Sequence, residues 1–457
     1  MASLPPRIGH VDSPEGRSFR LTLAEPGPTA GDLVHLSGGA LESIGYVESV
    51  SEPAADGVRV ITGRFVAPTS TTVRTADGVA VRPADPQEVA DLLGGTDPRL
   101  HMGHAVGVDA APVGLLAKRL NRHTFWCGQS GSGKTYALGV FLERVLSATR
   151  LPVVVLDPNS DFVGLGQVRP GVPPEEAEAH AARNVVVLRP DDPESPLRIR
   201  FTDFSPRAKA AVLRLDPVAD RGEYNALLRL ASQLRASSLT ELGRTLRELK
   251  DPDGAILAQR IENLGLLGWT QTWAGAGVSA TDVIAERPAA VVLDMGGYDR
   301  HEEQLTVALG VLEDLWARRT ERRPVLLVLD EAHNFASPDA ETPLAAAVRD
   351  RIVQIAAEGR KYGLWLLLST QRPNKIHPGV LTQCDNLTLM RMNSPADLAE
   401  LAAVFGFVPT QLLDRAARFI QGEALMAGGF VPLPTVVKVR DRITPEGGVD
   451  VPVPMAD

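Results

Sequence analysis

Cysteine, lysine, long uncharged apolar runs and surplus positive charge are all scarce in this chain, and each scarcity excludes something. Its two cysteines, Cys127 and Cys384, cannot build a disulfide framework, and no C-x-x-C pair or histidine cluster offers metal-ligand spacing. Both are expected to be small buried residues. No window approaches the roughly 18 uncharged apolar residues of a membrane span. The opening MASLPPRIGHVDSPEGRSF lacks the apolar core of a secretion signal, so a cytoplasmic chain with no membrane partner is expected. The formal net charge of -9 argues against a surface coated for nucleic acid, because such binding rests on neutralising phosphates. It leaves room for a local basic lumen within an acidic assembly. Arginine outnumbers lysine by 40 to 7, a skew that suits a GC-rich genome as well as any function and carries no weight.

What is present divides along the chain. At 457 residues, roughly two to four domains are expected. Residues 1–83 read as short alternating strands, FRLTLAE, DLVHLSG, SIGYVESV and VRVITGRFV, broken by glycine and proline, which suggests a small β-barrel or sandwich. Residues 84–99, with Pro86, Gly94 and Gly95, read as a hinge or linker. From residue 100, near-continuous apolar runs alternate with helical segments: HTFWC, LPVVVLD, NVVVLRP, AAVVLDM, PVLLVLDE, LWLLLST and NLTLMRM. That pattern is expected of a parallel sheet buried on both faces, a doubly wound α/β core over residues 100–204 and 286–440. Residues 205–285 lose the strand signal and read as a helical insertion. Its Trp269 and Trp273 could form a binding surface, although two such aromatics are more often core. Near the end one strand is expected, followed by a Pro-rich tail over residues 441–457 that is disordered or docks on a neighbour.

The stretch GQSGSGKT, Gly128 to Thr135, satisfies G-x-x-x-x-G-K-[ST] in full, after an apolar strand and before a helix. Gly128, Ser130, Gly131, Ser132 and Gly133 would bring backbone N–H groups onto phosphate oxygens at a helix N-terminus. Lys134 would reach the β and γ phosphates of ATP, and the Thr135 hydroxyl would bind Mg²⁺. In PVLLVLDEAHNF, Asp330 and Glu331 close an apolar strand at its carboxyl end, where ligands bind in open α/β sheets. Asp330 would orient the metal and Glu331 would polarise the attacking water. The strand LWLLLST runs into Gln371 and Arg372; Gln371 is placed to sense the γ phosphate. Arg360 and Lys361 end a helix, where cations suit the helix dipole. Arg360 could also be an arginine finger reaching a neighbouring subunit's nucleotide, with Arg372 competing for that role. Asp157 and Asp161 in LDPNSDF either position water or the metal shell or cap their loop.

Taken together these motifs resemble the HerA-like branch of the HerA/FtsK superfamily of P-loop ATPases. The resemblance covers almost the whole chain and is most specific in EGRKYGLWLLLSTQRPNKI. It implies a RecA-like P-loop NTPase core with an N-terminal HAS-barrel-like domain. It also implies a homohexameric ring that moves double-stranded DNA through a central channel. Archaeal members work with a NurA-type nuclease, and bacterial relatives occur beside effector enzymes in antiphage systems. Carried onto this chain, the roles fall to Lys134, Thr135, Asp330, Glu331, Gln371 as sensor, Arg360 as trans finger and, less closely matched, Asp157. The chain is shorter than an archaeal member is expected to be, which puts subunit bracing and partner docking in question.

Two readings of function remain at this point. One is a DNA-translocating motor whose basic pore contacts include Arg372, Lys375 and Arg391. The other is a nucleotide-controlled scaffold that organises a partner effector through the barrel. A small-molecule kinase fits poorly, since it seldom needs a glutamate beside the metal aspartate.

Overall fold

The computed structural model describes residues 7–13, 17–24, 27–38, 41–55, 57–66, 75–94, 99–107, 111–231, 239–248 and 251–448. The alternating segments at the start form β1 (Arg7–Asp12), β2 (Ser18–Ala24), β3 (Leu33–Gly38), β4 (Leu41–Val50), β5 (Val58–Phe65) and β6 (Thr75–Pro83). They close into a barrel in the order β1-β2-β5-β4-β3-β6. Period-two alternation explains it: Leu21, Leu36, Val47, Ile61 and Val79 fill the interior while their chain neighbours face out. The strand pattern in the sequence marks β2 to β5. It misses β6, which Gly78 interrupts at φ 68° opposite a register slip in β1.

The hinge expected at residues 84–99 holds a helix, α1 (Pro86–Gly94). Its start is a reciprocal capping box: Glu88 N–H donates to Asp85 Oδ1 at 2.9 Å, and Asp85 N–H donates to Glu88 Oε2 at 2.8 Å. The signal was present as Asp-Pro-Gln-Glu, with proline at the first helical position.

Beyond it come β7 (Arg99–Ala105), β8 (Pro112–Leu116), β9 (His123–Cys127), α2 (Lys134–Ala148), β10 (Val153–Asp157), α3 (Pro174–Ala181) and β11 (Val185–Leu188). Helices α4 (Pro206–Val212), α5 (Arg221–Ala231), α6 (Leu239–Glu248), α7 (Pro252–Asn263) and α8 (Ala280–Ala285) follow, before β12 (Ala290–Asp294). The chain continues through α9 (His301–Ala317), β13 (Val325–Leu329), α10 (Pro343–Glu358), β14 (Leu364–Thr370), α11 (Pro378–Leu381) and β15 (Cys384–Met390). It ends with α12 (Pro395–Val404), α13 (Thr410–Asp414), β16 (Glu423–Gly428) and β17 (Thr435–Val439).

The chain divides into two compact units. The first comprises Met1–Arg119, Cys127–Lys134 and Asn386–Arg440. Its strands outside the barrel run in the order β15-β16-β17-β7-β8, and every pair is antiparallel. The barrel is tied to this unit by Tyr46, whose hydroxyl donates to Pro434 O at 2.9 Å. Gln411 adds two bonds, to Val50 N–H and Val50 O at 2.9 and 2.8 Å.

The expectation of a parallel sheet fails for β15, which pairs antiparallel with β16. The reason lies in the connecting segment. Arg391 O accepts from Gln129 N–H at 2.9 Å and Gly422 N–H donates to Ser132 O at 3.1 Å, so the segment begins and ends at the same loop. Helices α12 and α13 lie within that segment, yet it returns to the end of the sheet from which it left, so β16 runs back along β15.

The second unit comprises Leu120–Trp126, Thr135–Asp385 and Asp441–Asp457, with strand order β11-β12-β10-β13-β14-β9. Here β11, β12, β10, β13 and β14 are parallel neighbours. Every residue of β9, β10, β12 and β13 is buried, as unbroken apolar runs predict. Trp269 and Trp273 stack with centroids 6.0 Å apart, and Phe201 meets Trp273 edge-on; Trp269 is buried and Trp273 half-buried.

Residues 441–448 are neither loose nor free to dock elsewhere. Arg442 is fully buried and its backbone N–H donates to Tyr136 Oη at 2.7 Å. The buried Glu143 of α2 accepts from Thr444 N–H at 2.8 Å and from Thr444 Oγ1 at 2.7 Å. Gly139 makes room for this strap, since a Cβ there would lie 2.4 Å from the Arg442 guanidinium. The remainder of the expected tail lies outside the described residues. Cys127 and Cys384 are free and buried, as expected.

Candidate nucleotide site

The loop after β9 permits no ordinary side chain at its first position: a Cβ on Gly128 would lie 2.7 Å from Met390 Cβ. Gly131 and Gly133 take φ of 72° and 89°, the left-handed region that favours glycine. Within the loop Ser132 N–H donates to Gln129 O at 3.2 Å, and Ser130 is exposed. The Ser132 hydroxyl is buried without a hydrogen-bond partner among the described residues. Lys134, 5% exposed, opens α2. Such a glycine-shaped loop, with an orphaned hydroxyl and a lysine at a helix N-terminus, fits phosphate oxygens.

The first unit holds this loop from one side. Asn393 N–H donates to Gln129 Oε1 at 3.1 Å, and an Arg391 guanidinium nitrogen donates to Gly131 O at 3.1 Å. Arg391, expected among pore cations, lies beside this loop.

In the second unit three adjacent strands end in the same dipeptide: Leu156-Asp157, Leu293-Asp294 and Leu329-Asp330. Register pairs Asp157 with Asp294 and Leu156 with Leu329, so the three carboxylates lie level at the carboxyl edge. Asp157 is fully buried, and that burial pushes its carboxyl up to about 7. The N–H groups of Phe162 and Asp161, at 2.8 and 2.9 Å, pull the other way, while the charges of Asp330 and Asp161 add to the rise. Thr135 Oγ1 donates to Asp161 Oδ2 at 3.3 Å, which links the start of α2 to this loop.

Asp330, also fully buried, accepts from Ser369 Oγ at 2.6 Å. Glu331 sits in the left-handed region at φ 43° and is 5% exposed. Gln371 Nε2 donates to Glu331 Oε1 at 3.0 Å, bringing together the two residues that the sequence placed on different strand ends. A hydroxyl at Thr135 and a carboxylate at Asp330 are the hard oxygen donors that suit Mg²⁺. No group of three or more His, Cys, Asp or Glu side chains among the described residues could hold a metal by itself. An ion held by Thr135, Asp330 and the nucleotide's own oxygens needs none.

The family described as the helicase HerA central domain matches residues 100–263. The DNA double-strand break repair helicase HerA of Pyrococcus furiosus is 24% identical over 396 residues, covering 73% of this chain and 70% of that protein. A probable DNA double-strand break repair helicase HerA of Methanocaldococcus jannaschii is 23% identical over 444 residues, covering 87% and 85%. Over most of its length the chain is thus similar to helicases of the HerA type. In fold it is similar to VirB4 of Thermoanaerobacter pseudethanolicus, with a TM-score of 0.52 at 17% identity over 74% of this chain and 96% of the other. The plasmid coupling protein TrwB in complex with the GTP analogue GDPNP gives a TM-score of 0.51 at 13% identity, covering 81% and 95%.

Other residues of this HerA-like chain went unmarked in the sequence. Ser160, at φ 64°, donates through Oγ to Asp294 Oδ1 at 2.7 Å, and Arg189 Nε donates to Asp294 Oδ2 at 3.2 Å. A signal existed, because the repeated strand ending Leu-Asp picks out Asp294 beside the two recognised carboxylates. Arg360 donates to Asp385 Oδ2 at 2.5 Å, and Arg122 lies 3.8 Å from the same oxygen. Arg372 is exposed, with its backbone N–H on Thr370 Oγ1 at 3.0 Å, and Lys375 Nζ lies 3.3 Å from Asp339. Among the described residues no helix is long and apolar enough to cross a membrane.

Proposed function

We propose that the chain is an ATP-driven motor that translocates double-stranded DNA as a hexameric ring in the cytoplasm. It would work with a partner nuclease or effector in DNA end processing or antiphage defence. The observation that carries the reading is the Glu331–Gln371 pair beside the buried Asp330 and Asp157, all on adjacent strand ends of one parallel sheet. The names of the HerA relatives support DNA as the track.

In this reading Gly128 to Gly133 enclose the phosphates, and Lys134 neutralises the β and γ oxygens. Thr135 and Asp330 hold Mg²⁺, with Ser369 fixing the Asp330 carboxylate. When bound, the metal would neutralise charge developing on the phosphate oxygens. Glu331 polarises the attacking water and Gln371, already bonded to it, reads the γ phosphate. Arg360 serves a neighbouring copy as finger, with Asp385 holding it in reserve; Arg372 is the competing candidate. The helices α4 to α8, as an insertion between β11 and β12, would lie outside the shared RecA-like core.

The test is ATP turnover with and without linear duplex DNA, with Glu331→Gln as control. Stimulation that this substitution abolishes supports the motor. Turnover indifferent to DNA turns the reading to a nucleotide-controlled scaffold. The barrel bears on that second reading, since its described interior is an apolar cluster that includes Leu21, Leu36 and Ile61, which suits a binding module.

A further inference from the structure

His333 lies two residues past Glu331, in the turn Ala332–Asn334, with its side chain 19% exposed. Its Nδ1 is 3.3 Å from Glu331 Oε2 and 3.1 Å from Thr370 Oγ1. A carboxylate only accepts, so the Glu331 contact is attractive when Nδ1 carries its hydrogen. Gln371 holds the other carboxylate oxygen, Oε1, from the end of β14. Glu331 is therefore approached from two elements: Gln371 bonds Oε1, and the His333 ring lies against Oε2.

The contacts extend further along one arm. Thr370 Oγ1 also accepts from Arg372 N–H at 3.0 Å, and the exposed Arg372 leads into the short turn Pro373–Lys375, which ends in a second exposed cation, Lys375. The chain of contacts thus runs from Glu331 through His333 and Thr370 to the backbone of the exposed basic segment. The ring is partly exposed, and these two contacts are with side-chain oxygens at strand ends. Glu331 needs such support, because a glutamate at φ 43° holds its conformation only where its surroundings fix it.

We propose that His333 is a positioning residue, which orients the Glu331 carboxylate and couples it to the Arg372–Lys375 segment. This rests on the reading of Glu331 as the group that polarises the attacking water. When DNA engages the segment, movement of the Arg372 backbone reaches the carboxylate through Thr370 and His333.

The experiment measures kcat and KM for ATP on the full chain, with and without linear duplex DNA, for His333→Ala, His333→Asn and Glu331→Gln. Thermal unfolding and binding of a fluorescent ATP analogue accompany each variant. Asparagine can place an amide nitrogen near the position of Nδ1, whereas alanine cannot. His333→Ala is expected to lower kcat by about tenfold to a hundredfold, as misplacement of a catalytic group does. Its KM should stay within about twofold, because ground-state binding is untouched. Stimulation by DNA should disappear, and His333→Asn should recover both. Wild-type kcat and stimulation in His333→Ala would overturn the proposal. So would a loss of melting temperature and analogue affinity that matches the loss of turnover, or an asparagine variant no better than alanine. Undiminished turnover in Glu331→Gln would instead show that Glu331 is not the base, which brings down the underlying reading by a separate route.

Discussion

On the barrel, a partly exposed cluster is mutually bonded: His35 bonds Glu88 and Glu42, each at 2.7 Å, and Arg82 bonds Glu88 at 3.0 Å. At the carboxyl edge of the second unit's parallel sheet, Asp157, Asp330 and Glu331 are buried to 5% exposure or less. Two residues of that edge, Ser160 and Glu331, also hold left-handed backbone. The same ionisable chemistry is treated oppositely in the two places. Paired surface charges contribute little either way, whereas buried carboxylates and strained backbone oppose folding and persist where a site requires them. The parallel sheet can carry that burden because its strands are apolar throughout, while the barrel buries one face of each strand.

Four measurements can break or sharpen this contrast. The largest effect should come from Glu331→Gln, which is expected to lower ATP turnover by about 10²- to 10⁴-fold, the usual contribution of a positioned base. Glu42→Gln on the barrel should leave turnover within about twofold of wild type; a large loss there would erase the distinction. Next is Arg442→Ala, which empties one side of the buried Glu143–Arg442 pair. Denaturant unfolding should show a loss of about 3–5 kcal/mol, the cost of breaking a buried pair from one side.

The third measurement concerns pH. His123 is buried, with Nδ1 accepting from Leu366 N–H at 2.9 Å and Nε2 donating to Ala356 O at 3.0 Å. Burial, with the Arg360 charge adding, lowers its pKa from 6.5 to about 4. The unfolded chain therefore takes up the proton first, and stability is lost as pH falls from 6.5 towards 4. Asp157 acts in the opposite sense. Its folded pKa of about 7 lies above the ordinary 3.8, so stability is lost as pH rises between those values. The two slopes oppose each other in wild type. In His123→Asn the opposing His123 slope is gone, so stability should fall more steeply than in wild type between pH 4 and 7, with Asp157 contributing about 3 kcal/mol of that fall. A flat profile in that variant would remove Asp157 from the set of destabilising carboxylates.

The smallest effect is expected in the barrel. His35→Ala should change unfolding free energy by about 1–2 kcal/mol, the loss of its two side-chain hydrogen bonds to Glu88 and Glu42. For the same cluster, burial tends to raise the Glu88 carboxyl, but Arg82, the Asp85 N–H and His35 together bring it down to about 2. Its contribution is therefore present above the ordinary carboxylate value of 4.5 and fades only as pH falls towards 2.

Much of the site was legible without coordinates because its parts are local. A glycine loop between an apolar strand and a helix is a contiguous signal, as is a strand ending in Asp330-Glu331. The capping box at Asp85–Glu88 was equally local and was hidden by reading its proline as a breaker. Other features had no local signal. The Glu143–Arg442 pair joins residues some 300 positions apart, the bond to Thr444 spanning 301. The direction of β15 depended on where a long connection returned, and apolar runs read alike in parallel and antiparallel strands.

By itself the sequence determined the barrel's alternation, the buried strands and the glycine loop, and it marked Asp157, Asp330, Glu331 and Gln371 as candidates. Each of these follows from periodicity or from bonded neighbours within a few residues. Only the tertiary structure decided that Gln371 holds Glu331, that Ser369 holds Asp330, that Arg391 lies beside the glycine loop and that His333 bridges to Thr370. Those contacts depend on strand order and register. Both are set by packing between segments distant in sequence, and the composition of the individual strands does not specify either.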